Sequence, residues 1–419
     1  MVRMVPGRLA GMMFLQFFGL GAWVVPLTRY LQAGPSLGGL GFTPTQTGLV
    51  YMTLAVGALI APFILGLLAD RWFAAEKVFR ACHLLMVVAI AGAGWWCETH
   101  SGLAADPART VGPLVGFMLV YAMGCQITLT LANVMSFRNL VNRDGTFGYV
   151  RLVGTFGWIV GGVFVGWAMN PLSAAPLYVA AITSMLLAGY SCVLPHTPPR
   201  GYGRPIREVL GLPAIMMFRN RSFLIFAVVM VIGSFLNQFY VLFVPAYLDA
   251  LGARVNLGLL GGWGPEVILT LAQWCEIGCM AATPWLVHRL GLKRLMMLGV
   301  AGWVVRGGLL YLGNMSWIVA VALPMHGWSY AFFNMLGTLF VDREAPAHLR
   351  AGAQALATFL SSGPAVILGN LVAGSVVEAN RIDGVTNWSP VWLVPFAGAG
   401  VALLLFATLF RDPLLKKVA

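Results

Sequence analysis

The sequence predicts an all-α membrane protein with twelve transmembrane helices in two six-helix bundles and both termini cytoplasmic. Three observations predict it. Of the 419 residues, 59% are hydrophobic and only 10% charged, against about 25% charged in soluble domains, so lipid has to be the solvent for most of this surface. The apolar residues come in twelve runs near the ~20 residues that a helix needs to cross a bilayer. Lys and Arg, finally, are sorted to one side of those runs.

The first run, 9–31, follows Arg3 and Arg8. It exceeds the roughly 7–15 residues of a signal-peptide core and reads as a retained first helix. The others fall at 46–69, 78–97, 111–134, 148–169, 175–194, 222–248, 266–288, 293–313, 316–340, 351–378 and 389–410. Gly and Pro inside them are no objection, because membrane helices tolerate both. The alternating segments of about 10 residues that mark a transmembrane barrel do not occur. The longest polar connection lies mid-chain, from Pro195 through His196, Arg200, Arg204 and Arg207 to Arg221. It divides the chain into an N-terminal bundle (1–194), a cytoplasmic linker (195–221) and a C-terminal bundle (222–419).

The formal net charge is +12. With both termini inside, twenty Lys and Arg fall on the cytoplasmic side and only Arg29, Arg109, Arg254 and Arg381 on the other, while Arg151 and Arg306 lie within spans. This is the positive-inside pattern. It accounts for the charge by topology and contact with the membrane surface. No basic cluster is interleaved with stacking aromatics outside the spans, so no nucleic acid is expected as a partner. Cys275 and Cys279 share a helical face, but no His or further Cys stands near them in sequence, and packing is the expected role for all six cysteines. No P-loop, Ser/His/Asp set or metal-spaced cluster appears. Neither an enzyme, nor an ATP-driven pump, nor a cofactor or metal is expected.

A weak repeat relates the halves. The second span ends Pro62-Phe63-Ile64-Leu65-Gly66-Leu67-Leu68-Ala69-Asp70-Arg71 and the eighth ends Pro284-Trp285-Leu286-Val287-His288-Arg289, each followed by further basic residues. Two such halves, related by an axis along the membrane normal, are the plan of the major facilitator folds. Gly66-Leu67-Leu68-Ala69-Asp70-Arg71 resembles that superfamily's signature after the second span. The resemblance implies a cytoplasmic gate role for Asp70 and Arg71.

A finer resemblance is carried by Phe14-Leu15-Gln16-Phe17, Arg151-Leu152-Val153-Gly154-Thr155-Phe156-Gly157, Gln273-Trp274-Cys275-Glu276, Ala331-Phe332-Phe333-Asn334, Arg350-Ala351-Gly352-Ala353-Gln354 and Val376-Val377-Glu378 with Trp388 and Val391-Trp392-Leu393. In this order and spacing, over nearly the whole chain, they resemble the nucleoside:proton symporter family of the major facilitator superfamily. The resemblance implies a proton-coupled nucleoside importer of the bacterial inner membrane. It would work by alternating access around a central site between the bundles, and a monomer is expected. A facilitator of the same fold for a nucleobase, sugar or drug, or a non-transporting sensor on this fold, are the rivals.

Ionisable groups inside spans are functional candidates by default. Glu276 is the one acid near the middle of a span, where a carboxylate can take up and release a proton; a buried, permanently protonated Glu is the alternative. Gln273, three residues earlier, shares its face, and the resemblance implies that this pair contacts the nucleoside. Arg151, Thr155 and Trp158 lie on one face of the fifth span and offer donors, a hydroxyl and a stacking plane. Within the resemblance they line the site; a charge at the cytoplasmic helix end is the alternative for Arg151. Asn237 and Tyr240 share a face of the seventh span, with Tyr240 where the family has a second amide and Gln238 adjacent. Interhelical hydrogen bonding explains that pair equally.

In the tenth span His326 and Tyr330 are four apart, with Asn334 next on that face. The family pattern has Tyr at the first position, an aromatic at the second and then Asp; this chain has His326, Tyr330 and Ala331. The missing Asp leaves coupling to Glu276, with His326 either a second titrating group or a packing residue. Gln16 with Trp23, and Gln126 with Thr130 and Asn133, either line the cavity or join helices. Arg306, in the ninth span, is expected to be structural.

Overall fold

The computed structural model describes residues 5–69, 72–101, 107–140, 143–199, 212–253, 255–256, 262–346 and 349–411. It is built of helices, and among the described residues eleven helical segments are long and apolar enough to cross a membrane. Helix is what an apolar chain must form in lipid, where backbone N–H and C=O groups find no water and have to pair within the segment. The chain divides into two compact units. One comprises Met1–Arg204 with Leu248–Val267, the other Pro205–Tyr247 with Ile268–Ala419.

The first unit contains α1 (Val5–Gln32), α2 (Pro44–Leu68), α3 (Ala75–His100), α4 (Pro107–Asn139), α5 (Arg143–Ala168) and α6 (Ala175–Tyr190). Most of these outrun the apolar stretches that predict them. At the start of α2 the reason is a capping box: Thr43 Oγ1 accepts from the Gln46 backbone N–H, and Gln46 Oε1 accepts from that of Thr43, satisfying two donors the helix leaves open. Helices α1 and α5 approach so closely that a Cβ on Gly157 would lie 2.2 Å from the Phe14 carbonyl oxygen. Small residues allow this in membranes, where close backbone packing replaces the hydrophobic drive. The approach sets the rotation of α5 and with it the position of Arg151. The core of this unit gathers around Met12, Phe79, Leu131 and Val150.

The residues Leu248–Val267 include the end of α7 (Arg221–Ala250), a short antiparallel pair β1 (Val255–Asn256) and β2 (Gly262–Trp263), and the one-turn helix α8 (Pro265–Ile268). Arg29, in the last turn of α1, ties them in. Its guanidinium is salt-bridged to both Asp249 and Glu266. The sequence counts Arg29 among the few basic residues of the non-cytoplasmic side; it is buried.

The second unit holds most of α7, then α9 (Leu271–Leu290), α10 (Leu292–Leu312), the broken tenth span, α14 (Arg350–Ser362), α15 (Pro364–Ala379) and α16 (Trp388–Leu409). Asn220 caps α7 by accepting from the backbone N–H groups of Ser222 and Phe223, as a short amide at that position does. The predicted eleventh span is interrupted at Gly363, because Pro364 disfavours helical geometry before it and opens α15. Between α15 and α16 the pair β3 (Arg381–Ile382) and β4 (Val385–Thr386) turns on Asp383-Gly384, both at positive φ, as a two-residue hairpin loop requires.

The tenth span departs most from expectation. It runs as α11 (Met315–Trp317), a π-helix over Ile318–Ala322, α12 (Pro324–Ser329), a second π-helix over Tyr330–Met335 and α13 (Leu336–Glu344). A π-helical turn holds more than four residues, so the four-residue spacing that put Asn334 on the face of His326 and Tyr330 does not hold through it.

Candidate functional site

In the first unit, Arg151, Thr155 and Trp158 lie on α5 as predicted. The Arg151 guanidinium sits over the Phe17 ring, 4.3 Å from its centroid, and its Nη1 is enclosed without a hydrogen-bond partner. A buried donor left in that condition costs about 1–3 kcal/mol. Thr155 is buried and Trp158 half-buried. Asp70 and Arg71, the expected gate, lie outside the described residues.

The residues Gln16 and Trp23 join helices. Gln16 is 3% exposed, donates to Thr128 Oγ1 on α4 at 3.0 Å and accepts at 3.0 Å from His83 Nε2 on α3. Trp23 donates to the Tyr121 hydroxyl. This chain of polar groups crosses three helices inside the unit core.

In the second unit the structure brings together three residues from two separate predictions through a fourth. Arg306 on α10 donates from Nη1 to His326 Nδ1 at 2.8 Å and to Asn237 Oδ1 at 3.3 Å. Its guanidinium lies 4.5 Å from the Tyr240 ring centroid. The Tyr240 and His326 rings stack at 4.7 Å with 10° between their planes. Asn237 and Tyr240 come from α7 and His326 from α12, so Arg306 is where α7, α10 and α12 meet. Tyr240 is buried and its hydroxyl is enclosed without a partner. Because a guanidinium only donates, His326 must present an unprotonated Nδ1 to it, which makes the imidazole the neutral Nε2–H tautomer.

Gln273 and Glu276 lie half-buried on one face of α9. That helix presses against α12 beside His326: a Cβ on Gly327 would stand 2.0 Å from the Ala272 carbonyl oxygen and 2.5 Å from the Glu276 backbone nitrogen. Tyr330 is 38% exposed at the start of the second π turn. Ala331, where the family resemblance expects an Asp, is fully buried in the apolar core with Phe332 and Phe333.

Arg306 is the residue that sequence reasoning set aside. A signal for it existed, since an arginine inside an apolar run is costly to keep. Its partners were not legible, because they lie on other helices.

The family model described as nucleoside H+ symporter matches residues 4–414. The chain belongs to the nucleoside H+ symporter family. Relatives of this family member include the putative nucleoside transporter YegT of Escherichia coli, 30% identical with 97% of this chain and 93% of that one covered, and the xanthosine permease of the same organism, 30% identical with 94% and 93% covered. The solved structure of the nucleoside transporter NupG, as an aspartate-to-alanine variant, superposes with a TM-score of 0.84 at 26% identity, covering 97% of this chain and all of that one. A peptide transporter, POT, with a TM-score of 0.76 at 15% identity, shares the fold alone.

Proposed function

We propose that this nucleoside H+ symporter family member is a proton-coupled nucleoside importer of the bacterial inner membrane, working by alternating access. It would have twelve spans, counting the π-interrupted 315–344 as one, and both termini in the cytoplasm. The sorting of Lys and Arg supports that orientation. Match to the family over 4–414 supports the substrate class, and a monomer is the expected working form.

The observation that carries the reading is Glu276, a carboxylate within the apolar run of α9 that shares its face with Gln273 and whose backbone packs against Gly327, beside the Arg306–His326 cluster. Glu276 takes and releases the coupling proton. Gln273, Asn237, His326, Tyr330 and Tyr240 contribute polar atoms and rings from the second unit. Arg151, Thr155 and Trp158 contribute from the first, on one face of α5. Asp70 and Arg71 serve the cytoplasmic gate.

The test is uptake of labelled uridine and adenosine into proteoliposomes, with and without an inward proton gradient. Stimulation by the gradient supports the reading. Uptake indifferent to it removes the coupling, and no uptake of either by folded protein removes the substrate class.

A further inference from the structure

The Nη1 nitrogen of Arg306 donates to both Asn237 Oδ1 and His326 Nδ1. Arg306 is 5% exposed, and among the described residues no carboxylate is paired with it. Asn237 and His326 are each able to donate or accept, but a guanidinium has donors alone. Both must therefore turn an acceptor towards Arg306. Asn237 turns its carbonyl oxygen, and His326 its unprotonated Nδ1. The far ends follow: an amide NH2 on Asn237 and an Nε2–H on His326. Neither of those nitrogens has a hydrogen-bond partner among the described residues, and neither is sealed from solvent. One buried cation thus converts two ambivalent side chains into donors. The Tyr240 ring, stacked on His326 and lying beneath the guanidinium, holds the arrangement in place.

We propose that Arg306 is a positioning residue that sets base specificity, and that the donor pair it creates selects nucleosides whose base presents a carbonyl oxygen at pyrimidine C4 or purine C6. Uridine and inosine are then preferred over cytidine and adenosine, in which an amino group replaces that oxygen and sets N–H against N–H. A carboxylate paired with Arg306 would satisfy it and release Asn237 and His326 to present either end; among the described residues none is paired with it. The inference rests on the reading as a nucleoside transporter.

The test is counterflow of the four labelled nucleosides by full-length protein in proteoliposomes. Wild type is expected to favour the oxo member of each pair by about tenfold in kcat/KM, the worth of one well-placed hydrogen bond. Asn237→Asp supplies Arg306 with a carboxylate, which keeps the buried charge paired, and replaces the donor with an acceptor. Preference in that variant falls to about twofold or reverses, through KM. Arg306→Met loses the same preference, with folding checked by gel filtration and thermal unfolding. Histidine 15N NMR, with His326 identified by loss of its signals in His326→Gln, is expected to show Nε2–H in wild type and a tautomer mixture in Arg306→Met. Equal handling of all four nucleosides, unchanged preference in Asn237→Asp, or a His326 protonated at Nδ1 in wild type each overturns the proposal and leaves the transporter reading standing. No counterflow of any of the four sinks that reading, and the proposal with it.

Discussion

Arg29 and Glu266, 237 positions apart, form a buried ion pair: their side chains are 6% and 1% exposed. Asp249 completes the arrangement with two further bonds to the same guanidinium. Taking these charges out of water is expensive, and mutual attraction with good geometry offsets it. Arg29→Gln leaves Glu266 enclosed and uncompensated. A loss of roughly 3–5 kcal/mol of stability is expected, read as a lower thermal-unfolding midpoint in detergent, with Glu266→Gln in the same background recovering much of it. No change in either variant would show the pair to be energetically idle.

Glu276→Gln removes the group proposed to carry the proton while keeping its shape and hydrogen-bonding capacity. Gradient-driven uptake should fall by at least ~10-fold, the lower range of what a positioned proton-transfer group contributes being larger still. Substrate-dependent thermal stabilisation should persist, since the amide still donates and accepts. Normal pH-driven uptake by this variant would falsify the assignment.

Gly327 is a steric prediction. The α9–α12 approach has no room for a side chain, since the added Cβ meets backbone atoms that cannot rotate away. Gly327→Ala should cost ~1–3 kcal/mol as overpacking and displace Glu276 relative to His326. Thermal unfolding reports the first effect and a raised KM the second. A variant with wild-type stability and KM would contradict the close approach.

The Gln16–His83–Thr128 chain separates helix joining from substrate binding. Gln16→Leu strands His83 Nε2 inside the first unit and removes a donor from Thr128 Oγ1, which keeps its bond to the Cys125 carbonyl, at a cost of about 1–3 kcal/mol, while KM for a transported nucleoside stays within about twofold. Lower stability with unchanged KM confirms a structural role. A large KM rise at unchanged stability would place Gln16 at the substrate instead.

Legibility followed the range of the physical signal. The apolar runs located the helices because each run is local. Glu276 stood out for a similar reason, as one carboxylate in an otherwise apolar helix. The register of the tenth span misled, since two π turns are invisible to a pattern that assumes 3.6 residues per turn. The ion pairs of Arg29, by contrast, have no sequence signal, because Asp249 and Glu266 are far away along the chain. Gln16 left two readings open, line or join, until His83 and Thr128 were found on it. Arg306 was set aside because its role is defined by three partners on two other helices.

By itself the sequence determined the solvent, the helical class and the family. Each follows from composition, local periodicity or colinear motifs, and lipid enforces helix wherever about twenty apolar residues run together. Only the tertiary structure decided which polar groups satisfy one another. Asn237 and His326 are equally able to donate and accept along the chain. They become donors because a third helix delivers a buried guanidinium to their acceptor atoms, and a hydrogen bond between helices has no local signature in sequence.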